Sequence, residues 1–509
     1  MTPRHAAPRG GGRPQQQSAP EGNVPHRWWA LAVIGLAQLM VVLDATIVNI
    51  ALPSAQRSLG FGNDGRQWVI TAYSLAFGSL LLLGGRLADL FGRRRTFIVG
   101  LIGFACASAI GGTAHSFTML ISARALQGMF GAVLAPSALS LLTTTFTDPV
   151  ERARAFGVFG AIAGSGGAIG LLLGGLLTEH LSWRWTLYVN DVIAVLAVVG
   201  ALAFLRSRAP AQRPRLDLPG AALVGVGLFC VVYGFSNAET HGWSNWMCWV
   251  FLIAAGVLLG AFGFWERGAP HPLLPPRVVA DRNRTGSFLS VFIAGAGMFG
   301  VFLFLTYYLQ TVMEYTPVRT GLAFLPMVGM LMATAQLSTN ILVPYVGPKA
   351  TVPTGMGLAT GGMVLLTMLD AHSSYVPHVL APLLVLGFGI GLVMPPAMSL
   401  ATLGVAARDQ GVASATVNTM QQVGGSIGTA FFNTMATTSA SRFAKAHAGE
   451  PNLAVRANLH SYQTAYTTAG CFFVAGFLVS VVLYRRGRPY EQTPTLGPET
   501  EAGGQRAES

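Results

Sequence analysis

Apolar residues run along this chain in long uncharged blocks, such as Trp28 to Leu43, Thr96 to Ala114 and Val192 to Leu205, parted by short stretches that hold the arginines. A helix needs about 18 apolar residues to cross the hydrocarbon layer of a membrane. Counting blocks on that scale predicts about fourteen spans, centred near residues 39, 78, 105, 132, 165, 195, 227, 255, 298, 332, 360, 389, 425 and 474. The chain is expected to be all-α and embedded in lipid.

Composition supports this. Of 509 residues, 52% are apolar and 10% charged, whereas a soluble chain carries about 25% charged residues. Residues 1 to 26 and 487 to 509 are rich in polar residues, Pro and Gly, and are expected to be disordered tails. The first apolar block is too long for the core of a signal peptide and is expected to remain as the first span. A formal charge of +12 would suggest a nucleic-acid partner if it formed one patch, but the arginines sit in short clusters between spans, so none is expected. With a cytoplasmic N-terminus, about 24 of the 32 basic residues fall in loops and tails on that side. The positive-inside rule therefore places both termini in the cytoplasm of a cell membrane. The four cysteines lie within apolar blocks without ligand spacing and read as packing residues, with no metal site.

The chain also repeats itself. Gly166-Gly167-Ala168-Ile169-Gly170 recurs 258 positions later as Gly424-Gly425-Ser426-Ile427-Gly428. Gly128, Pro136, Ala138 and Ser140 recur 259 later as Gly387, Pro395, Ala397 and Ser399, and Gly92 and Arg94 recur 255 later as Gly347 and Lys349. Nearly equal offsets argue for two parallel six-helix halves, an arrangement found in transporters. The expected organisation is a tail at 1–26, an N-terminal bundle at 27–206, a linker with two extra helices at 207–266, a C-terminal bundle at 267–486 and a tail at 487–509.

Several motifs carry a resemblance to a known family. The run from Gly85 to Arg95, GRLADLFGRRR, resembles the loop motif of the major facilitator superfamily and falls between the second and third spans, as it does there. Its glycines, Gly85 and Gly92, suit a tight turn, Asp89 suits a helix end or an arginine, and Arg93 and Arg94 suit the anionic inner leaflet. The run Leu43 to Pro53, LDATIVNIALP, is similar to the first-helix signature of the fourteen-helix drug and proton antiporter branch. Arg124-Ala125-Leu126-Gln127-Gly128, the run Trp183 to Asn190, Tyr308-Leu309-Gln310, Thr316-Pro317 and Gly321 to Pro326 also resemble that branch. The resemblance covers the chain between the tails. It implies a major facilitator fold of two six-helix bundles plus two central helices, a gating role for Gly85, Asp89, Gly92, Arg93 and Arg94, and antiport driven by a proton gradient without a cofactor.

An ionisable group inside a span costs roughly 2.5 to 3.5 kcal/mol on insertion scales and marks a functional position. Asp44 and Arg124 are the chief cases. Each lies about six residues from the far end of its helix, roughly 9 Å deep at 1.5 Å per residue, so the two can meet. Either they couple proton uptake to movement, or they form a static pair that fixes helix register. Neither has a charged counterpart at the repeat offset, where Leu383 matches Arg124 and Pro344 matches Asp89, so proton machinery is expected in the N-terminal half only. Gln127, one turn from Arg124, can bond to it or to substrate.

In the fifth span Gly160, Gly164, Gly166, Gly167, Gly170, Gly174 and Gly175 lie at spacings that allow close helix approach. Gly166, Gly170, Gly174 and Gly175 look like the family's antiporter motif, but Leu171 stands where the family has proline, so a kink here must rest on glycine. Asp191 is expected to cap the start of the sixth span, with a second protonation site as the alternative. Glu314, Asp370, His372 and His378 are expected in solvated outer loops.

Amides and phenols inside spans tend to face a bundle interior, which nominates Gln38, Asn49, Tyr73, Gln127, Tyr307, Gln310, Gln336, Asn418 and Gln421 for a substrate cavity. Abundant Phe, Met and Leu suit bulky apolar or cationic compounds. The expected function is proton-coupled export of drugs or hydrophobic metabolites by a monomer whose partners are small-molecule substrate, protons and the bilayer. Export or symport of a specific polar metabolite and a non-transporting membrane sensor are the alternatives. No nucleophile, metal or nucleotide motif suggests an enzyme.

Overall fold

The computed structural model describes residues 24–61, 63–205, 217–270, 272–406, 409–448 and 453–486. The expected disorder of the tails thus concerns residues that fall, but for 24–26, outside those described.

In chain order the helices are α1 (Val24–Leu59), α2 (Asn63–Phe91), α3 (Arg93–Gly112), α4 (Phe117–Thr145), α5 (Pro149–His180), α6 (Trp185–Phe204), α7 (Leu218–His241), α8 (Trp246–Gly268), α9 (Pro276–Val279), α10 (Arg282–Thr311), α11 (Pro317–Leu337), α12 (Val343–Val346), α13 (Pro348–Leu366), α14 (Ala381–Thr402), α15 (Gln410–Ala446) and α16 (Leu453–Leu483). Many begin on a residue whose side chain accepts a bond from the first turn: Ser116 before α4, Asp148 before α5, Asp217 before α7, Asn245 before α8, Asp281 before α10 and Thr316 before α11. Each such cap satisfies an N–H that has no helical partner and contributes about 1 kcal/mol.

Among the described residues eleven helices are long and apolar enough to cross a membrane, and α5 makes twelve when its two pieces are taken together. Two further long helices, α13 and α15, fall below that apolarity. The physical reason is clear in α15, where every residue from Gln410 to Thr419 is buried. A helix walled in by protein can carry Ser, Thr and Asn where a lipid-facing one cannot. The order of long helices agrees with the fourteen expected spans, the tenth passing from α11 through a π-helical stretch, Ser338–Leu342, into α12.

The two halves pack alike. In the first, α1 packs with α5 and α6, and α4 with α2 and α3; in the second, α10 packs with α15 and α16, and α14 with α11 and α13. The sequence repeat is visible atom by atom. Gly128 of α4 abuts the backbone of Tyr73 in α2, and Gly387 of α14 abuts the backbone of Met327 in α11. Gly166 and Gly170 of α5 lie on α1, and Gly424 and Gly428 of α15 lie on α10. Gly92 (φ 90°) and Gly347 (φ 87°) each turn the chain into the next helix through a backbone region that L side chains rarely adopt. The halves meet where α5 packs on α11 and α14 and where α15 packs on α2 and α4, and of the inserted pair α7 lies against α2 and α15 while α8 packs on α7.

Four details differ from the sequence reading. The first helix begins at Val24, inside the stretch read as a tail, and runs to Leu59, fifteen residues beyond Asp44. The eighth ends at Gly268 rather than 266. Asp191 lies within α6, whose N-cap is Arg184, so it does not cap that helix. Gly85 is inside α2 and makes no turn; its missing side chain instead lets α15 approach, since a Cβ there would lie 2.6 Å from the Gly411 carbonyl.

Candidate functional site

Five helices of the first half converge on one buried carboxylate. Asp44 of α1 is 0% exposed, and Arg124 of α4 is 2% exposed. Arg124 Nη1 donates to Asp44 Oδ2 at 2.6 Å and to Gln127 Oε1 at 2.8 Å. Asp44 Oδ1 accepts from Gln127 Nε2 at 3.0 Å and from Asn190 Nδ2 of α6 at 2.8 Å. Gln127 Nε2 also donates to Ser108 Oγ of α3, and Arg124 Nε to the Val69 carbonyl of α2. The guanidinium lies 4.4 Å from the ring centroid of Tyr73, also in α2. Charge-assisted bonds of this kind are about twice as strong as neutral ones, and here they replace the water both ions have lost.

The expected meeting of Asp44 and Arg124 is thus observed, with Gln127 in the position expected one turn on. Two members were not anticipated. In the sequence Asn190 is only the last residue of the run Trp183 to Asn190 and Ser108 carries no signal, because an amide or hydroxyl in a span is too common to stand out unless its helix is known to face a charge.

The glycine stripe of α5 backs this site. Gly166 lies against Val42, Gly170 against Thr46 and Gly174 against Ile47, so α5 is seated on the turns of α1 that flank Asp44. Gly175 is buried as well. The pieces Val150–Gly167 and Ile169–His180 meet at 42°, a bend made without the family proline.

A second polar site closes the end of the bundle at which α1 begins and α16 ends. Asp89 Oδ1 accepts from the Gly411 N–H at the start of α15 (3.2 Å) and pairs with Arg93 at 3.5 Å. Asp409 accepts from Arg277 Nη2 at 2.9 Å and lies 4.0 Å from Arg86 Nη1. Arg152 of α5 donates to Thr402 of α14 at 2.9 Å. Of these, the contacts of Asp89 with Gly411, Arg86 with Asp409 and Arg152 with Thr402 join the two halves. Arg94 does something else: it donates to the carbonyls of Ala201 and Leu202, closing the last turn of α6. Sequence reasoning missed Asp409; the signal was an acidic residue just before a helix.

The residues nominated for a cavity do not form one group. Tyr73 and Gln127 belong to the Asp44 cluster. Gln38 is buried at 4% exposure, and its Oε1 has no partner among the described residues. Asn418 donates to the Ser414 carbonyl within α15, and Gln336 accepts from Asn340. Tyr307 is 46% exposed on α10. Gln310 and Gln421 are half-buried, and the side chain of Asn49 lies outside the described residues. A small pocket inside the second half is lined by apolar residues, among them Met298, Phe302, Met327 and Phe473, and by none of those nominated. Asp370, outside the spans, accepts from Ser373 and His372, which hold its carboxyl below the ordinary range.

Two bundles in the same packing order, an inserted helix pair and a buried ion cluster define a membrane transporter fold. The chain matches the Major Facilitator Superfamily over residues 34–429 and belongs to it; it is a transporter and not an enzyme. It is 48% identical over 484 residues to the puromycin resistance protein pur8 of Streptomyces alboniger, covering 94% of this chain and 96% of that one. It is 39% identical to the cephamycin export protein CmcT of Amycolatopsis lactamdurans (80% of this chain, 84% of the other) and 34% identical to the tetracenomycin C resistance and export protein of Streptomyces glaucescens (79% and 74%). In fold it is similar to the human organic anion transporter MFSD10 (TETRAN), with a TM-score of 0.64 at 16% identity over 90% of this chain and 100% of that one.

Proposed function

We propose that this protein is a proton-coupled antiporter that exports antibiotics or other hydrophobic or cationic compounds by alternating access. The reading places it in the cell membrane with both termini in the cytoplasm, as a monomer driven by the proton gradient without a cofactor. The names of its relatives, which concern resistance to or export of antibiotics, support the substrate class.

One observation carries the coupling: a carboxylate with no solvent exposure whose oxygens are held by Arg124, Gln127 and Asn190. A proton taken up there from the far side of the membrane cancels the charge that holds Arg124. The cluster then relaxes, and α1 transmits the change to α5, which packs across the seam onto α11 and α14. Release of the proton to the cytoplasm restores the ion pair. The latch of Asp89, Asp409 and Arg152 is the gate that must part for substrate to enter from the cytoplasm.

The test is efflux of a lipophilic cation from proteoliposomes with an imposed pH gradient. Asp44→Asn is expected to remain folded and lose gradient-driven transport. Full pH-dependent antiport in that variant would sink the reading.

A further inference from the structure

Glu266 has no part in the cluster around Asp44, yet it is a buried carboxylate, 5% exposed, at the end of α8, the least buried of the candidate spans. An acid in that setting calls for an explanation. Its two oxygens accept the N–H groups of Leu273 and Leu274, each at 3.0 Å, and so grip the segment that follows α8. Asp217, the cap of α7, receives the Trp265 indole N–H at 3.0 Å and ties the neighbouring ends of the inserted pair together. The gripped segment turns the Pro272 carbonyl toward α2, where it accepts from Arg86 Nη2 at 2.9 Å. Arg86 is itself 4% exposed and faces Asp409, which also holds Arg277. The neighbouring turn of α2 carries Asp89, bonded to Gly411.

The geometry points to Glu266 as a positioning residue for the gate: by fixing the segment after α8 it aims the Pro272 carbonyl at Arg86 and so helps hold the two halves closed at the cytoplasmic end. The inserted pair is then a strap across the seam. Its other end is tied to both halves as well, by Thr71 with Ser236 at 3.0 Å and by the Trp243 indole donating to Thr434 at 2.6 Å. Arg86 needs the aimed carbonyl because Asp409 alone, at 4.0 Å, does not orient it.

The inference rests on the reading that the halves rock, and its test is read on resting protein. Amide hydrogen exchange would be followed by mass spectrometry in lipid nanodiscs, without substrate or gradient. In Glu266→Gln, Leu273 and Leu274 should exchange faster because their acceptors are weakened. If the segment positions the gate, Gly411 should also exchange about tenfold faster, as expected when a buried charged bond network is loosened. In Arg86→Lys, which keeps the charge but not the fork, Gly411 should again exchange faster while Leu273 and Leu274 stay protected. Unchanged exchange at Gly411 in either folded variant overturns the proposal. Retained antiport in Asp44→Asn would defeat proton coupling yet leave this result standing, and the reverse holds equally.

Discussion

At the residue scale, the Asp44 cluster is stable only while each oxygen keeps a donor. Asn190→Ala removes one of the two donors to Oδ1 and should lower stability by about 1–3 kcal/mol, the usual cost of a buried polar group left unpaired. Denaturant or thermal unfolding in detergent measures it. The same change made in Asp44→Asn should cost measurably less, and the difference is the coupling, expected in the range of about 0.5–3 kcal/mol for residues in one network. Equal costs in both backgrounds would mean that Asn190 serves packing rather than the carboxylate. The pair Asp44 and Arg124 was legible in the sequence because charge within an apolar block is costly and therefore rare. Asn190 was not, because its importance lies in which way α6 faces, and α6 carries no charge pattern that fixes its rotation.

At the element scale, the contact between α1 and α5 depends on the absence of side chains. A Cβ on Gly170 would collide with Thr46 Oγ1, and one on Gly174 would sit 3.0 Å from the Ile47 carbonyl. By contrast Gly256, Gly260 and Gly263 of α8 have nothing within 4 Å of where a Cβ would go. Gly170→Ala is therefore expected to cost about 1–3 kcal/mol through overpacking and to reduce transport, because α5 must lift off the turn next to Asp44. Gly260→Ala should be neutral or add up to about 1 kcal/mol through helix propensity. Thermal unfolding and efflux of the two variants, measured side by side, decide between a packing stripe and a mere excess of glycine. The helices were legible from block length, and the stripe from its spacing. The bend of 42° in α5, made without proline, was not legible, nor were the π-helical stretches at Ser338–Leu342 and Tyr375–Leu380, although Pro344 follows the first and Pro377 lies in the second.

At the scale of the whole molecule, the repeat foretold that the halves would be alike but not how they are joined. Asp89 finds its acceptor role with a backbone N–H 322 positions away, and a backbone N–H leaves no trace in sequence. The nearby acid Asp409 was hidden for a related reason: Glu151 stands at the repeat offset, 258 positions earlier, so nothing in the repeat marks Asp409 as serving the seam, which exists once. The result is an asymmetry in which the buried ion cluster around Asp44 lies wholly within one half, while the polar contacts proposed as the gate are shared between them. On the proposed reading, the shared contacts are the weak point of the closed state. Asp409→Asn removes the charge held by Arg277 and faced by Arg86, and it leaves the Asp44 cluster untouched. Losing about 1.4 kcal/mol of the closed state's advantage raises the open population about tenfold. Ser414, buried one turn inside the gate on α15, offers a reporter. Ser414→Cys should react with a water-soluble maleimide about tenfold faster in the Asp409→Asn background than without it, with labelling assigned to that peptide by mass. Equal rates would mean that the Asp89, Gly411 and Arg152 contacts hold the halves together by themselves, and that Asp409 merely anchors Arg277 at the start of the second half.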